Sequence, residues 1–396
     1  MKVRERLHLT YCSNIHSGET WPEVNAALAD ALPRVRRELA FDGPFAIGLR
    51  LSAQAAATLH APAVLDRFRR FLDDGNYYVP TINGFPFGAF HGTRVKENVY
   101  LPDWRSAERV EYTNQLANIL ARLLADRTDV EASVSTVPGA FRAHVKSVDD
   151  EKAIAAGILR HAAHLVRLRE ETGVTVALAL EPEPACYLET VADVVKFFDD
   201  HLLDAGARAA VDGAALTGDE VRRHVGVCYD ACHGAVEFEE PAASLGRLDD
   251  AGIRVCKVQV SSALRVSGSA DALSTALAPF ADATYLHQVV RRTRHGLERF
   301  TDLPDALERA RGEPTVDRGE WRIHYHVPIF LDHLGALQTT QSELVAALDA
   351  IKRTERGICV EVETYTWDVL PAEYRAVDLC TAIARELTWA RRQLES

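Results

Sequence analysis

No run among the 396 residues is apolar over the length of a membrane span, and the opening MKVRERLHLTYC has no apolar stretch long enough for a signal peptide. A cytoplasmic chain with no membrane insertion is expected. Basic residues are in short supply, 45 Lys and Arg against 57 Asp and Glu, for a net charge of -12. No nucleic-acid partner is expected from such a chain, because that partnership needs a positive field. An even cysteine framework is absent too. The seven thiols are scattered at 12, 186, 228, 232, 256, 359 and 380, and Cys228, Cys256, Cys359 and Cys380 lie inside apolar runs. Such thiols read as small buried hydrophobes in a reducing compartment. No Gly-rich phosphate loop follows the first strand-like run, which disfavours an open nucleotide-binding sheet. No repeat, low-complexity tract or Gly/Ser linker divides the chain, so one domain over 1–396 is expected.

What is present is an alternation of short β-rich apolar runs and longer amphipathic segments. The runs are LHLTYC from Leu7, FAIGLRL from Phe45, YYVPTI from Tyr77, VEASVSTV from Val130, VTVALAL from Val174, VGVCYD from Val225, IRVCKVQV from Ile253, RIHYHVPIF from Arg322 and ICVEVETYTW from Ile358. VTVALAL and VGVCYD are almost continuously apolar, as in parallel strands buried on both faces. Between the runs, Thr20-Trp-Pro-Glu23 and Thr217-Gly-Asp-Glu220 read as capping boxes. Ser52 reads as the cap of one helix reaching Asp74, with Gly75 stopping it, and 149–171 reads as another, closed by Gly173. Repeated strand–helix units argue for a parallel α/β fold, and eight such units close a (β/α)₈ TIM barrel. There are nine candidate strands. Residues 266–321 therefore read as an insertion after strand seven, with the His-Tyr-His segment a loop or extra strand over the barrel mouth.

Polar residues that end buried parallel strands are the informative ones, because a barrel builds its site at that face. Glu181 ends VALAL, with Glu183 one step further out. Asp230 ends strand six and His233 follows three residues later, close enough to share an ion. Lys257, Gln259 and Ser261 share one face of strand seven, and Arg265 follows in the loop. His324 and His326 have strand spacing, so both rings point one way. Glu361 and Glu363 share a face of the last strand, where two inward carboxylates repel unless a cation lies between them. The segment 83–104, holding Asn83, Phe85, Phe87, His91, Arg94 and Lys96, reads as a lid or a pocket for an aromatic or anionic substrate, or as an Ω-loop packed over the barrel.

These strand ends, E-P at Glu181, D-x-x-H at Asp230 and E-x-E-T ending at Thr364, resemble those of xylose isomerase-like TIM barrels, a superfamily that includes sugar isomerases, ketose 3-epimerases and family 2 AP endonucleases. The resemblance implies metal ligands at Glu181, Asp230 and Glu363, with His233, Gln259 and His326 completing the set around Mn, Zn, Co or Mg. It implies an acid/base pair at Glu181 and Glu363, and substrate contacts at His233, Arg265, His324, Asn83 and His91. Glu361 and Glu183 are expected to support ligands from behind. Epimerases of this group carry a His where this chain has Gln259, and the endonucleases need histidines where it has Asn83 and Ser135. A sugar, polyol or related small molecule is the expected substrate. TINGFPFGAFHGTRVKENVYLPDW and HYHVPIF further resemble the barrel proteins of bacterial ebo clusters (EboE), which implies metabolite biosynthesis or traffic.

Overall fold

A computed structural model describes residues 1–4, 6–91, 95–127, 130–209, 215–267, 275–280, 284–311, 319–354, 357–368, 370 and 377–396. Eight of the nine apolar runs become the parallel strands β1 (Leu7–Tyr11), β2 (Phe45–Arg50), β3 (Tyr77–Asn83), β4 (Ala132–Thr136), β5 (Val176–Leu180), β6 (Val225–Asp230), β7 (Val255–Val260) and β8 (Ile358–Val362). Their side chains are buried almost throughout, because helices cover the outer face while side chains fill the inner one. β8 pairs in parallel with both β1 and β7, and neighbours then follow in order through β6, β5, β4 and β3 to β2. A parallel bridge between Cys12 and Gly48 joins the far edges, so the sheet is nearly closed. This is a (β/α)₈ barrel.

The helix ends follow local chemistry. Both expected capping boxes form, opening the helices Trp21–Glu38 and Gly218–His224. The helix Val148–Thr172 ends on Gly173 at φ +73. The single helix expected from Ser52 to Asp74 is two, Ala53–Leu59 and Pro62–Gly75. Pro62 drives Ala61 out of helical backbone, to ψ 128. The left-handed cap after the second is Asn76, at φ 52, rather than Gly75.

A second, antiparallel sheet lies between β7 and β8. Its strands are Leu264–Ser267, Val289–Thr293, Gly296–Phe300, Glu320–Ile323, His333–Leu334 and Leu337–Thr339. It thus begins before 266 and continues past 321, and parts of the 266–321 segment lie outside the described residues. The ninth apolar run divides: Glu320–Ile323 joins this sheet, while residues 324–328 run without regular structure to the barrel mouth. No helix among the described residues is long and apolar enough to cross a membrane.

Candidate metal centre

The C-terminal ends of β5, β6 and β8 deliver Glu181, Asp230 and Glu363 to one place, and 324–328 brings His324 and His326 against them. One oxygen each from Glu181, Asp230 and Glu363 lie within 4.8 Å of one another. So do ligand atoms of Asp230, His233 and His326, and those of Glu183, His233 and His324. Asp230 belongs to two of these groups. Its Oδ1 accepts from Ser261 Oγ (2.6 Å) and from the His233 amide (3.0 Å), and its Oδ2 has no hydrogen-bond partner.

The imidazoles are oriented from behind. Oxygen acceptors hold Nδ1–H of each ring: Pro182 O for His233 (2.8 Å), Gln288 Oε1 for His324 (2.7 Å) and Glu363 O for His326 (2.7 Å). Gln288 cannot be the donor there, because its Nε2 already faces Tyr100 Oη, Glu183 Oε1 and Pro184 O. With Nδ1–H committed, each ring turns its Nε2 toward the acidic cluster. The Nε2 atoms of His233 and His324 face one another at 3.2 Å, and that of His326 has no hydrogen-bond partner. Such an approach is favourable only with a proton or a metal ion between, and metal-binding histidines are held in this way.

Burial sets the charges. It pushes the Glu181 carboxyl well above the usual range, and the nearby Glu363 and Asp230 push further. Glu363 is raised to about 8 by burial and then by Asp230. Burial also raises Glu183, although Tyr100 Oη donates to its Oε1 at 2.7 Å. Burial pushes Asp230 upward too, but His233, His326 and the Ser261 hydrogen bond outweigh it and leave the group below its usual range. His326 falls to about 4 and His324 well below its ordinary value, both chiefly through burial. At neutral pH those two rings are lone-pair donors rather than cations. Four acidic groups facing neutral imidazoles is an arrangement that a divalent ion completes. The orphan atoms Glu181 Oε2, Asp230 Oδ2 and His326 Nε2 are what such an ion would engage.

The other expected residues divide. Asn83 is at the site, but its Nδ2 donates to Glu363 Oε1 (2.9 Å) alongside Asn14 Nδ2 (2.8 Å). Gln259 is wholly buried in register with Asp230 and Glu361, and neither amide atom has a partner. Glu361 lies deeper, and the cation beside it is Lys257 Nζ at 2.5 Å, both groups fully buried. The cation expected between Glu361 and Glu363 is, for Glu361, this side chain. Gly48 makes the room, since a Cβ there would meet Glu361 Oε2 at 1.5 Å.

Two expectations fail on placement. Arg265 lies in the second sheet with Nη1 toward Glu343 (3.5 Å) and does not line the cavity. The turn of chain into that sheet redirects it. His91 does not line the cavity either, because Nε2 meets Asn14 O (2.7 Å) and Nδ1 meets Glu19 (3.2 Å). Arg94 lies outside the described residues. Asn14, Tyr100, Tyr285, Gln288 and Tyr365, which the sequence reading missed, all contribute to the site or its walls. Only Asn14 and Tyr365 carried a signal, as polar residues just beyond the ends of β1 and β8.

No family model and no curated protein matches the chain. Solved structures do. A xylose isomerase-like TIM barrel protein from Mycobacterium smegmatis in complex with magnesium is 12% identical, with TM-score 0.51 over 98% of this chain and 96% of its own. A xylose isomerase domain protein from Planctomyces limnophilus is 14% identical, with TM-score 0.50 over 98% and 97%. A family 2 AP endonuclease from Brucella melitensis is 13% identical, with TM-score 0.37 over 64% and 78%. The fold of this chain is that of the xylose isomerase-like TIM barrels.

Proposed function

We propose that this barrel is a metal-dependent isomerase or epimerase of a sugar, polyol or related hydroxy-carbonyl metabolite. The observation that carries the reading is the set of Nε2 atoms on His233, His324 and His326, grouped with Asp230 and its neighbouring carboxyls while every Nδ1 is held from behind. Glu181, Asp230 and Glu363 would hold one ion, with the Gln259 amide oxygen beside them. Asp230, His233 and His326 would hold a second, next to Glu183 and His324. The magnesium in the similar M. smegmatis barrel supports a metal here; Mn, Zn and Co suit the mixed ligands equally. A bound ion supplies a Lewis acid that grips adjacent substrate oxygens and stabilises negative charge on them.

The chain's own residues do the rest. Glu363, raised to about 8, can hold or release a proton near neutrality, as moving hydrogen between adjacent carbons requires, and burial raises the Glu181 carboxyl well above its ordinary range. Asn14 and Asn83 fix Glu363 Oε1, and Oε2 lies 3.9 Å from His326 Nδ1. Residues 1–396 are read as one cytoplasmic domain, and the likeness to ebo-cluster proteins supports a place in metabolite biosynthesis or traffic.

A carrier without catalysis is the second reading, favoured by Gln259, which offers a neutral amide rather than an imidazole or carboxylate. An endonuclease role is opposed by the charge of -12. The test is solvent exchange. Metal-loaded protein is incubated in D₂O with a panel of hydroxy-ketones, ketohexoses, inososes and α-hydroxy aryl ketones among them, and carbon-bound hydrogen beside the carbonyl is followed by NMR. Exchange that disappears in Glu363→Gln is expected. Metal uptake without exchange on any of them would favour the carrier.

A further inference from the structure

The cavity above the centre holds about 70 Å³, opens to solvent, and is built in two halves. Its floor is the carboxyl and imidazole cluster. Its walls are apolar and largely aromatic: Phe85, Phe90, Val95, Tyr100, Tyr285 and Tyr365. The wall begins one ring from the floor, with Tyr365 4.7 Å from His326 between centroids. Phe90, Tyr285 and Tyr365 then form a triangle with centroid separations of 5.1, 5.4 and 5.3 Å and planes inclined by 43°, 67° and 70°. Such a group offers both ring faces and ring edges.

The polar atoms of the wall are mostly engaged. Tyr100 Oη donates to Glu183 and Tyr285 Oη to Phe90 O, so these residues offer rings rather than hydroxyls. Both wall amides direct Nδ2 at Glu363, and Asn83 Oδ1 accepts from Phe85 N. Lys96 is the single Lys or Arg among the described lining residues, and its Nζ pairs with Asp302 at 2.6 Å. Asn14 Oδ1 and the Tyr365 hydroxyl remain. That is too little for a free sugar, whose hydroxyls each lose water on entry and cost about 1–3 kcal/mol when unmatched. A phosphorylated substrate would find the Lys96 charge already paired.

We propose that the substrate carries a planar aromatic group beside its oxygen-bearing head, the head on the metal-binding floor and the ring among Phe85, Phe90, Tyr285 and Tyr365. This rests on the metal-centre reading above. It narrows the substrate class to aryl-substituted polyols or hydroxy-carbonyl compounds.

Hydroxamates test it, since all grip a metal through the same two oxygens and differ only in body. Acetohydroxamate, hexanohydroxamate and benzohydroxamate are titrated by calorimetry into Zn-loaded and Mn-loaded protein. Benzohydroxamate is expected to bind at least about tenfold more tightly than acetohydroxamate, from the ring surface buried, and about three- to tenfold more tightly than hexanohydroxamate, from ring–ring contacts. The benzo-to-aceto ratio should fall in Phe90→Ala and in Phe85→Ala, with metal stoichiometry as the check on folding. The three-way comparison on wild type stands even where a variant fails to fold. Equal affinity for all three overturns the aromatic substrate and leaves the metal centre intact. Equal affinity for the hexano and benzo probes overturns the ring in favour of an aliphatic body. Failure to take up metal removes the metal centre and this inference with it, whereas metal uptake with no hydroxamate binding overturns this inference alone.

Discussion

Replacing Lys257 with Met separates what holds the barrel interior together from what serves the site. Lys257 and Glu361 are fully buried and meet at 2.5 Å, with Ser135 Oγ a further partner of the ammonium at 3.2 Å. Burial alone would lower the lysine's pKa, yet Glu361 and the neighbouring acidic groups carry it well above its ordinary value. Removing one member of such a pair leaves the other charge uncompensated, a loss of about 3–5 kcal/mol. Glu361→Gln should cost a comparable amount by stranding the ammonium. The double variant should recover much of it, giving a coupling energy of roughly 2 kcal/mol or more. The assay is urea unfolding of all four proteins in EDTA, so that metal linkage does not enter. Effects that add within about 0.5 kcal/mol would refute the pairing.

Glu363→Gln keeps size and the Asn14 and Asn83 contacts at one oxygen but loses the charge, so metal affinity should collapse with little change in metal-free stability; equal affinity by titration would remove Glu363 from the centre. Gly48→Ala should destabilise the fold by at least roughly 1–3 kcal/mol, because the new Cβ meets Glu361 Oε2 at 1.5 Å and Tyr11 O at 2.8 Å; an unchanged urea midpoint would contradict the packing. Glu386, buried beneath Thr364 and Trp367, is raised to about 7 from 4.5, mainly by burial. The folded state then holds a proton that the unfolded state has released, so this group's contribution falls as pH rises from 4.5 to 7, by roughly 3 kcal/mol. Glu386→Gln should flatten that part of the stability profile, and an unaltered profile from pH 4.5 to 8 would contradict the shift.

The barrel and half of its site were legible because a polar residue ending an apolar run is a local signal. Glu181, Asp230 and Glu363 each stop such a run, and the fold brings all three together. His324 and His326 were visible as a pair out of place in an apolar segment. The partner of Glu361 was not visible, although Lys257 was placed on the inward face with Gln259. Pairing them needs the register that sets Cys359 beside Lys257 and Glu361 beside Gln259. Arg265 misled because its strand pairs with Glu320–Ile323, nearly sixty residues away, and a single sequence carries no mark of that pairing. The segment leading into Val289–Thr293 of the same sheet supplies Gln288 and Tyr285. An aromatic loop residue such as Tyr100 looks the same in sequence whether it packs a loop or walls a cavity. Pro62, by contrast, was present to be read, and its cost to the preceding residue broke a helix that the apolar period had joined.

In the proposed metal centre, Asp230 is the residue that both ions share. Anomalous scattering from crystals soaked in Zn²⁺ or Mn²⁺ tests it most directly. One or two peaks are expected in contact with Asp230 Oδ2, one bounded by Glu181 and Glu363 and the other by the Nε2 atoms of His233 and His326. Saturating metal that leaves no peak there, or places its peaks only at surface carboxylates, would contradict it.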